Sequence, residues 1–347
     1  MTDPETPAPV DGIESTSSDR PAAADAGGRA RRARWADLGS RYGLLVIWLV
    51  FIVLFSFLKP EWFFTVVNFQ SIFGGQAVLL ILTLGLVVSL TCSEFDLSIA
   101  GVMSVSLVAV GYFNVTLAWP IAAAIAVALL IGLLVGSIHA FLVVKVGLQS
   151  IVVTLGTGTL LMGVAFGINY QTTSGISPWL VEFTRGSFLG IQHVAYYALG
   201  LTFLMWYVYR YTPLGRYMYV VGVNRNVARL SGLRVDAIRA GSLITTSFVA
   251  ALAGVFEAGA LGSADPNTAA AFLLPAFAAA FLGSTAITPG RFNPWGTFVA
   301  VYFLITGITG LNLLGQTGWI EDVFYGGSLV VAVTLSKLAG TGRATLS

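Results

Sequence analysis

The segment GVNRNVARLSGLRVDAIRAG, residues 222–241, has four arginines and one aspartate and lies between long apolar runs. Such a charged segment in the middle of an apolar chain decides the fold, because it must lie outside the lipid. It therefore constrains how many membrane spans precede it.

The same segment has the pattern of a short amphipathic helix. Asn224 is placed to act as an N-cap, and Arg225 and Arg229, four residues apart, share one helical face. Leu230 and Leu233 are expected to form an apolar stripe beside the charges. Gly222 and Gly232 bracket the segment, so the helix should end near Gly232. The alternative is a positive loop that sets topology and touches only lipid headgroups.

The composition is that of a membrane protein. Of the 347 residues, 56% are hydrophobic and 10% are charged, whereas a soluble domain carries about 25% charged residues. Cys92 is the single cysteine, so an intramolecular disulfide is excluded. His139 and His193 have no spaced Cys or Glu partners, so no metal site is expected.

The apolar runs are continuous rather than alternating, which favours membrane-spanning helices over a barrel. We predict an all-α, polytopic bundle of about ten transmembrane helices with both termini cytoplasmic. The expected spans are roughly 42–58, 74–92, 98–115, 119–141, 150–169, 195–211, 238–261, 270–287, 295–313 and 319–337.

The distribution of positive charge supports this layout. Of the 18 Lys and Arg residues, only Lys59 and Arg185 would fall on the outer side, and positive residues favour the cytoplasmic side. The charged segment is then a cytoplasmic loop. The largest outer loop, about 170–194, holds aromatic residues suited either to the water–lipid interface or to an extracellular partner.

The ends of the chain look different from its middle. Residues 1–38 are rich in Pro, Ala, Asp and Ser, have no apolar core of a signal peptide, and are predicted to be a disordered cytoplasmic tail. Residues 39–340 form the predicted transmembrane domain, with a cytoplasmic loop at 215–237. Residues 341–347 form a second cytoplasmic tail.

Several blocks resemble the ribose-type sugar permeases of bacterial ABC importers. The segment GRYMYVVGVNRNVARLSGLRVDAIRAG (215–241) resembles the coupling segment of that family. Further similar blocks follow the family order from about residue 42 to 337, and they are SLTCSEFDLSIAGVMSVS (89–106), QSIVVTLGTGTLLMGVAFG (149–167), LAGVFEAGALGSADPNTA (252–269), AAFLGSTAITPGRFNPWGTFVAV (279–301) and GLNLLGQTGWIEDVFYGGSLVVAV (310–333).

The resemblance implies a permease subunit in the bacterial inner membrane. Two such subunits would form the pore in the lipid bilayer, either as a homodimer or with a paralogue as the second subunit, and a cytoplasmic ATP-binding subunit would dock on each coupling loop. An extracytoplasmic solute-binding protein would deliver a monosaccharide, such as ribose or xylose, or a polyol. The residues implied in ATPase coupling are Gly222, Asn224, Arg225, Ala228, Arg229, Leu230, Ser231 and Gly232.

A second group of residues is a candidate for the translocation path or its gating. Its members are polar or small residues in or near predicted spans, together with Phe95 beside them. They are Glu94, Phe95, Asp96, Ser98, Thr154, Gly156 and Glu257.

Several of these residues have a structural alternative. Asp96 precedes the third span and can act as its N-cap. Glu94 and Phe95 stand where the family has Gly-Ile, which leaves pore geometry and substrate preference open. Gly156, with Thr159, can serve close helix packing. Glu257 can face the path, pair with a polar neighbour in the bundle, or lie near the outer interface if its span ends early.

No motif for covalent chemistry is present. The sequence lacks a G-x-x-x-x-G-K-[ST] loop, so the chain is not expected to be an enzyme. It should bind no cofactor, and ATP and Mg²⁺ would reside on the partner ATPase. An ion-coupled secondary transporter is the alternative class, although no inverted repeat is found. Nucleosides, autoinducer-type furanones or branched-chain amino acids are rival substrates, and nucleic-acid binding is not expected.

Overall fold

The computed structural model describes residues 22–344, with side chains described for residues 41–334. The chain divides into two units, residues 1–39 and residues 40–347. The helices are α1 (Ala22–Leu58), α2 (Pro60–Phe63), α3 (Val66–Gly75), α4 (Ala77–Thr91), α5 (Ile99–Gly111), α6 (Ile121–Ala140), α7 (Ser150–Ile168), α8 (Pro178–Arg185), α9 (His193–Tyr211), α10 (Pro213–Val223), α11 (Arg225–Leu230), α12 (Val235–Leu261), α13 (Leu273–Gly283), α14 (Pro294–Leu313) and α15 (Trp319–Ala344).

The remaining regular structure is short. Helices α5 and α6 continue into π-helical turns, Tyr112–Thr116 and Phe141–Lys145, and a 3₁₀ helix, Thr268–Phe272, precedes α13. The strands are β1 (Thr173–Ser174), β2 (Ser187–Phe188), β3 (Ile191–Gln192) and β4 (Ser263–Ala264). Strand β1 pairs antiparallel with β4, and β2 pairs antiparallel with β3.

The fold is that of a polytopic helical membrane protein. Seven helical segments within the described residues are long and apolar enough to cross a membrane, and they are Arg41–Leu58, Val66–Thr91, Ile99–Thr116, Ile121–Lys145, Ser150–Ile168, Val235–Leu261 and Pro294–Leu313. The other three predicted spans coincide with α9, the shorter apolar helix Thr268–Gly283, and α15. The count of ten and the cytoplasmic placement of both termini stay predictions.

The two predicted tails, residues 1–38 and 341–347, lie only partly within the described residues. Residues 1–21 and 345–347 lie outside them. Helix α1 begins at Ala22, inside the segment expected to be disordered, and α15 runs to Ala344, inside the second expected tail. The domain boundaries at residues 38 and 340 therefore stay predictions.

Helix α12 is the centre of the bundle and packs closely against α4, α5 and α6. Glycines on these helices and on α12 make the close approach possible. A methyl group added at Gly85, Gly132 or Gly136 would overlap α12, and one added at Gly254 of α12 would overlap the Met103 carbonyl of α5. Small residues thus let four helices meet without intervening side chains.

Helices α4 and α5 are buried along their whole length, as expected of helices that are apolar all round. By contrast, α6 and α7 expose large apolar side chains along one face, including Leu130, Leu134, Leu155 and Leu160. These outer faces are suited to contact with lipid or with another membrane subunit. The interior order of the bundle therefore places α4, α5 and α12 at its core.

The connections gather at two opposite ends of α12. At its C-terminal end, β4 pairs with β1, and Arg185 donates to the Ala260 carbonyl. At its N-terminal end lie α11, the α4–α5 loop and the α6–α7 loop. This second end holds most of the described arginines that follow residue 200, and we name it the cationic end.

Candidate functional site

The predicted short helix exists and is α11, Arg225–Leu230. The Asn224 side chain accepts hydrogen bonds from the backbone N–H groups of Asn226 at 3.0 Å and Val227 at 3.1 Å, so the predicted N-cap is confirmed. Gly232 follows with a φ of +77°, a left-handed conformation that glycine adopts without strain. Helix α11 therefore ends near Gly232, as predicted.

Helix α11 is seated on the bundle by a small apolar cluster. Ala228 is fully buried with Val221 and Val235, and Leu233 packs beside them. Leu230, in contrast, is 89% exposed. The predicted stripe of Leu230 and Leu233 is wrong, because the helix ends at Leu230 and the chain turns before Leu233. Ala228 therefore holds the helix against the bundle, while Arg229 and Leu230 are exposed on its other side.

The start of this segment touches the end of α4. A methyl group at Gly222 would overlap the Thr91 carbonyl oxygen, so only glycine allows the two backbones to approach this closely. The Ser93 hydroxyl donates to the Gly222 carbonyl at 2.8 Å. Together these contacts fasten the end of α10 to the α4–α5 loop, residues 92–98.

Glu94 forms a buried ion cluster at the same place. Its Oε1 atom accepts from Arg225 Nη2 at 2.7 Å and from Arg239 Nε at 2.5 Å. The side chains of Glu94 and Arg239 are 2% and 10% exposed, whereas that of Arg225 is 41% exposed. One carboxylate thus joins the first residue of α11, the α4–α5 loop and the first turns of α12.

Residues of α7 hold the α4–α5 loop from the other side. The Ser150 hydroxyl accepts from the Phe95 N–H at 3.2 Å. The Thr154 hydroxyl accepts from the Leu97 N–H at 3.0 Å, and its single proton is shared between the Phe95 carbonyl at 3.1 Å and the Ser150 carbonyl at 2.8 Å. Thr154 is therefore a clamp on the loop, and the Phe95 ring stacks on Phe281 of α13.

The expectation that Asp96 is the N-cap of the third span is wrong by two residues. Helix α5 has Ser98 as its N-cap, and Asp96 Oδ1 accepts from both the N–H and the hydroxyl of Ser98. Asp96 is fully buried, and its Oδ2 has no hydrogen-bond partner among the described residues. Burial raises the pKa of this carboxyl above its ordinary value.

The close packing expected at Gly156 and Thr159 is also wrong. Both residues lie on the exposed face of α7, and nothing lies within 4 Å of a methyl group placed at Gly156. The packed glycine is Gly158, which approaches Ser98, and its carbonyl would meet a methyl group placed at Gly101. Whether Gly156 or Gly158 is packed depends on the rotation of α7 about its own axis, and the uniformly apolar sequence of α7 does not reveal that rotation.

Glu257 lies far from the cationic end, near the C-terminal end of α12. Its side chain is buried at 8% exposure. Within residues 41–334 it has no hydrogen-bond or ion-pair partner, so the expected alternative of pairing with a polar neighbour is not seen. It remains a candidate for the translocation path.

A concave surface opens beside α11. A cavity of about 510 Å³ lies between α11 and the α6–α7 loop, and Glu94, Arg225, Arg229 and Arg239 are among its lining residues. Arg229 also pairs with Asp236 at 3.0 Å, with both side chains more than half exposed. The cationic end thus presents a capped helix, an exposed leucine and a charged hollow, which together form a surface suited to another protein.

The opposite end has an aromatic surface. Within the predicted outer loop, Trp179 and Phe183 of α8 stack at 5.1 Å, and Phe183 stacks on Tyr197 of α9. Asp265 lies nearby in the chain after β4, and the Asn267 N–H lowers the pKa of its carboxyl. Phe188 at the end of β2 and Leu189 in the turn before β3 are both exposed.

Sequence reasoning missed three residues of the site: Ser93, Ser150 and Arg239. Each bonds to a partner more than fifty positions away in the chain. No local motif marks them, although a buried carboxylate such as Glu94 signals that a cation must lie nearby. Within the described residues no group of three His, Cys, Asp or Glu side chains is placed to hold a metal ion.

Comparison with known proteins agrees with this architecture. Residues 68–333 match the family model described as branched-chain amino acid transport system / permease component. The chain is 28% identical to the D-allose transport system permease protein AlsC of Escherichia coli, over 86% of this chain and 92% of that protein. It is 30% identical to the ribose import permease protein RbsC of Haemophilus influenzae, over 85% and 92%.

A third relative is the autoinducer 2 import system permease protein LsrD of Photorhabdus laumondii, which is 26% identical over 86% of this chain and 92% of that protein. No solved structure matches the chain.

Proposed function

Because the chain belongs to the family of importer permease components that includes ribose and D-allose permeases, we propose that it translocates a monosaccharide delivered from outside the cell. It is a multi-pass protein of the inner membrane. As a permease subunit, it supplies the path for the solute and depends on another polypeptide for ATP hydrolysis.

The observation that supports this function most directly is the geometry of α11. Its surface residues, Arg229 and Leu230, are exposed, while Ala228 and the Asn224 cap hold the helix rigidly on the bundle. A rigid element transmits displacement, whereas a flexible loop absorbs it. Movement of an ATP-binding subunit docked here would therefore reach the membrane helices as a rigid-body switch.

The remaining partners follow from the same proposal. ATP and Mg²⁺ bind to the separate ATP-binding subunit. A solute-binding protein docks on the opposite end, where the aromatic surface of α8 and the exposed Phe188 and Leu189 lie. A second copy of the chain completes the pore, with the exposed apolar faces of α6 and α7 available for membrane contacts.

A sugar is the favoured class of substrate because the names of the similar permeases include ribose, D-allose and L-arabinose. Because one similar protein is an autoinducer 2 permease, autoinducer 2 is a further compound to test as a substrate. The choice among these solutes depends on side chains that line the path, where Glu257 and Ser98 are candidates.

Reconstitution tests the function. The chain and its ATP-binding subunit are placed in proteoliposomes with the binding protein, and uptake of radiolabelled ribose, allose, arabinose and autoinducer 2 is measured with and without ATP. We expect ATP-dependent uptake of one of the sugars. The variant Arg229→Glu, which places a second acid beside Asp236, should insert normally but lose uptake.

Arg210→Gln is the matched control, since Arg210 is exposed at the end of α9 and makes no hydrogen bond or ion pair among the described residues. It should transport as the unmodified chain does. ATP-independent accumulation by the chain alone, driven by an ion gradient, would contradict the proposal and indicate a secondary transporter.

A further inference from the structure

We infer that Glu94 is a positioning residue that relays movement of α11 to α5 and α7 through its bond with Arg225. This inference rests on the proposed function, because it concerns how work received at α11 spreads through the bundle. It assigns a role to Glu94, which together with Phe95 stands where the resembled family has Gly-Ile.

The first step of the relay is the bond between α11 and the α4–α5 loop. Arg225 is the first residue of α11, and its Nη2 atom lies 2.7 Å from Glu94 Oε1. The same guanidinium reaches the Ser93 carbonyl at 3.4 Å. A displacement of α11 along its axis therefore pulls on the loop through a charge-assisted bond, which is stronger than a neutral one.

The second step is the rigidity of Glu94 itself. Glu94 is 2% exposed, and the buried Arg239 holds the same Oε1 atom. The carboxylate is thus fixed to α12 and cannot simply follow Arg225 by rotating its side chain. Force on Arg225 is therefore carried by the backbone of the loop, and by α12 through Arg239, instead of being lost in side-chain motion.

The third step leads from the loop to two membrane helices. Thr154 of α7 binds both the Phe95 carbonyl and the Leu97 N–H. Asp96 holds Ser98 at the start of α5. A shift of residues 94–98 must accordingly move α5 and α7 or break these bonds.

Two other connections of α11 lead elsewhere. Ala228 packs on the start of α12 through Val235, and Arg229 pairs with Asp236. These contacts lead to α10 and α12 and not directly to the α4–α5 loop. Because the bonds of Arg225 to Glu94 and to the Ser93 carbonyl are the direct link from the α11 side chains to that loop, removing them should weaken the response of α7 relative to that of α12.

The test uses the whole importer and a reporter on α7. Leu155 is 53% exposed on the outer face of α7, and a Leu155→Cys variant carries an environment-sensitive fluorophore. The probe is ATP with vanadate, which traps the ATP-binding subunits. In the otherwise unmodified chain, trapping should shift the emission of the label.

In Arg225→Gln, the emission shift per bound ATP-binding subunit should be mostly lost, because the bond to Glu94 is gone. Arg225→Lys should restore part of it, since the charge remains, and Arg210→Gln should behave as the unmodified chain. An undiminished shift in Arg225→Gln would overturn the relay. So would loss of docking in that variant alone, which would place Arg225 on the docking surface. Failure of the ATP-binding subunit to bind the Leu155→Cys chain itself would instead refute the proposed function.

Discussion

Neutralising Glu94 should be far more damaging to stability than neutralising Arg225, although both belong to one ion cluster. The Arg239 side chain is 10% exposed and Glu94 is 2% exposed, so Glu94→Gln leaves a buried cation without its anion. Breaking a buried pair in this way costs about 3–5 kcal/mol. Arg225 is 41% exposed, and a pair of that kind contributes about 0–1 kcal/mol.

The free energy of unfolding is measured by SDS titration in mixed micelles for each purified variant. We expect Glu94→Gln to be about 3–5 kcal/mol less stable and Arg225→Gln to lose about 0–1 kcal/mol. The double variant Glu94→Gln/Arg239→Gln should recover part of the loss, because no charge is then left unpaired. Equal losses for Glu94→Gln and Arg225→Gln, or a double variant with strictly additive losses, would refute this reasoning.

Three further predictions concern the same end of the molecule. Gly222→Ala should lower the yield of folded protein in detergent, because its methyl group would overlap the Thr91 carbonyl, while Gly241→Ala should fold normally, since nothing lies within 4 Å of its added methyl. Asn224→Ala should lose about 1 kcal/mol of helix stability, seen as weaker co-purification of the ATP-binding subunit; unchanged binding would show that the cap is dispensable. Burial raises the pKa of Cys92 to about 11, so its thiol should stay unlabelled by maleimide at pH 8 and react only in SDS, and labelling of the folded chain would contradict that burial.

The sequence was sufficient for features that depend on local chemistry. Apolar runs predicted the membrane helices, since each run must satisfy its own backbone in lipid. Asn224 predicted the start of α11, because an N-cap bonds to the backbone two and three residues further on. Gly232 predicted its end for a similarly local reason.

The sequence was insufficient where helix rotation decides the outcome. Residues 150–168 are apolar on every side, so nothing in their pattern distinguishes the packed Gly158 from the exposed Gly156. The same limit applies to Leu230, whose exposure depends on where α11 stops and how it sits on Val221 and Val235.

The residues that bond to Glu94 could not be predicted from the sequence, for a different reason. The partners of Glu94 lie 131 and 145 positions further along the chain. Burial of the carboxylate required some cation, and several arginines of the segment 222–241 were available. Only the packing of α12 against α4 brings Arg239, rather than Arg234, to Glu94.

Labelling of a Leu230→Cys variant is the most direct test of two claims: that α11 lies on the inner side of the membrane, and that a separate ATP-binding subunit covers it. Leu230 is 89% exposed, and the buried Cys92 provides a silent background. With a membrane-impermeant maleimide, we predict labelling in inside-out vesicles, no labelling in right-side-out vesicles, and protection when the ATP-binding subunit of the importer is bound. Labelling from the outer face, or full labelling with that subunit bound, would contradict the proposed coupling.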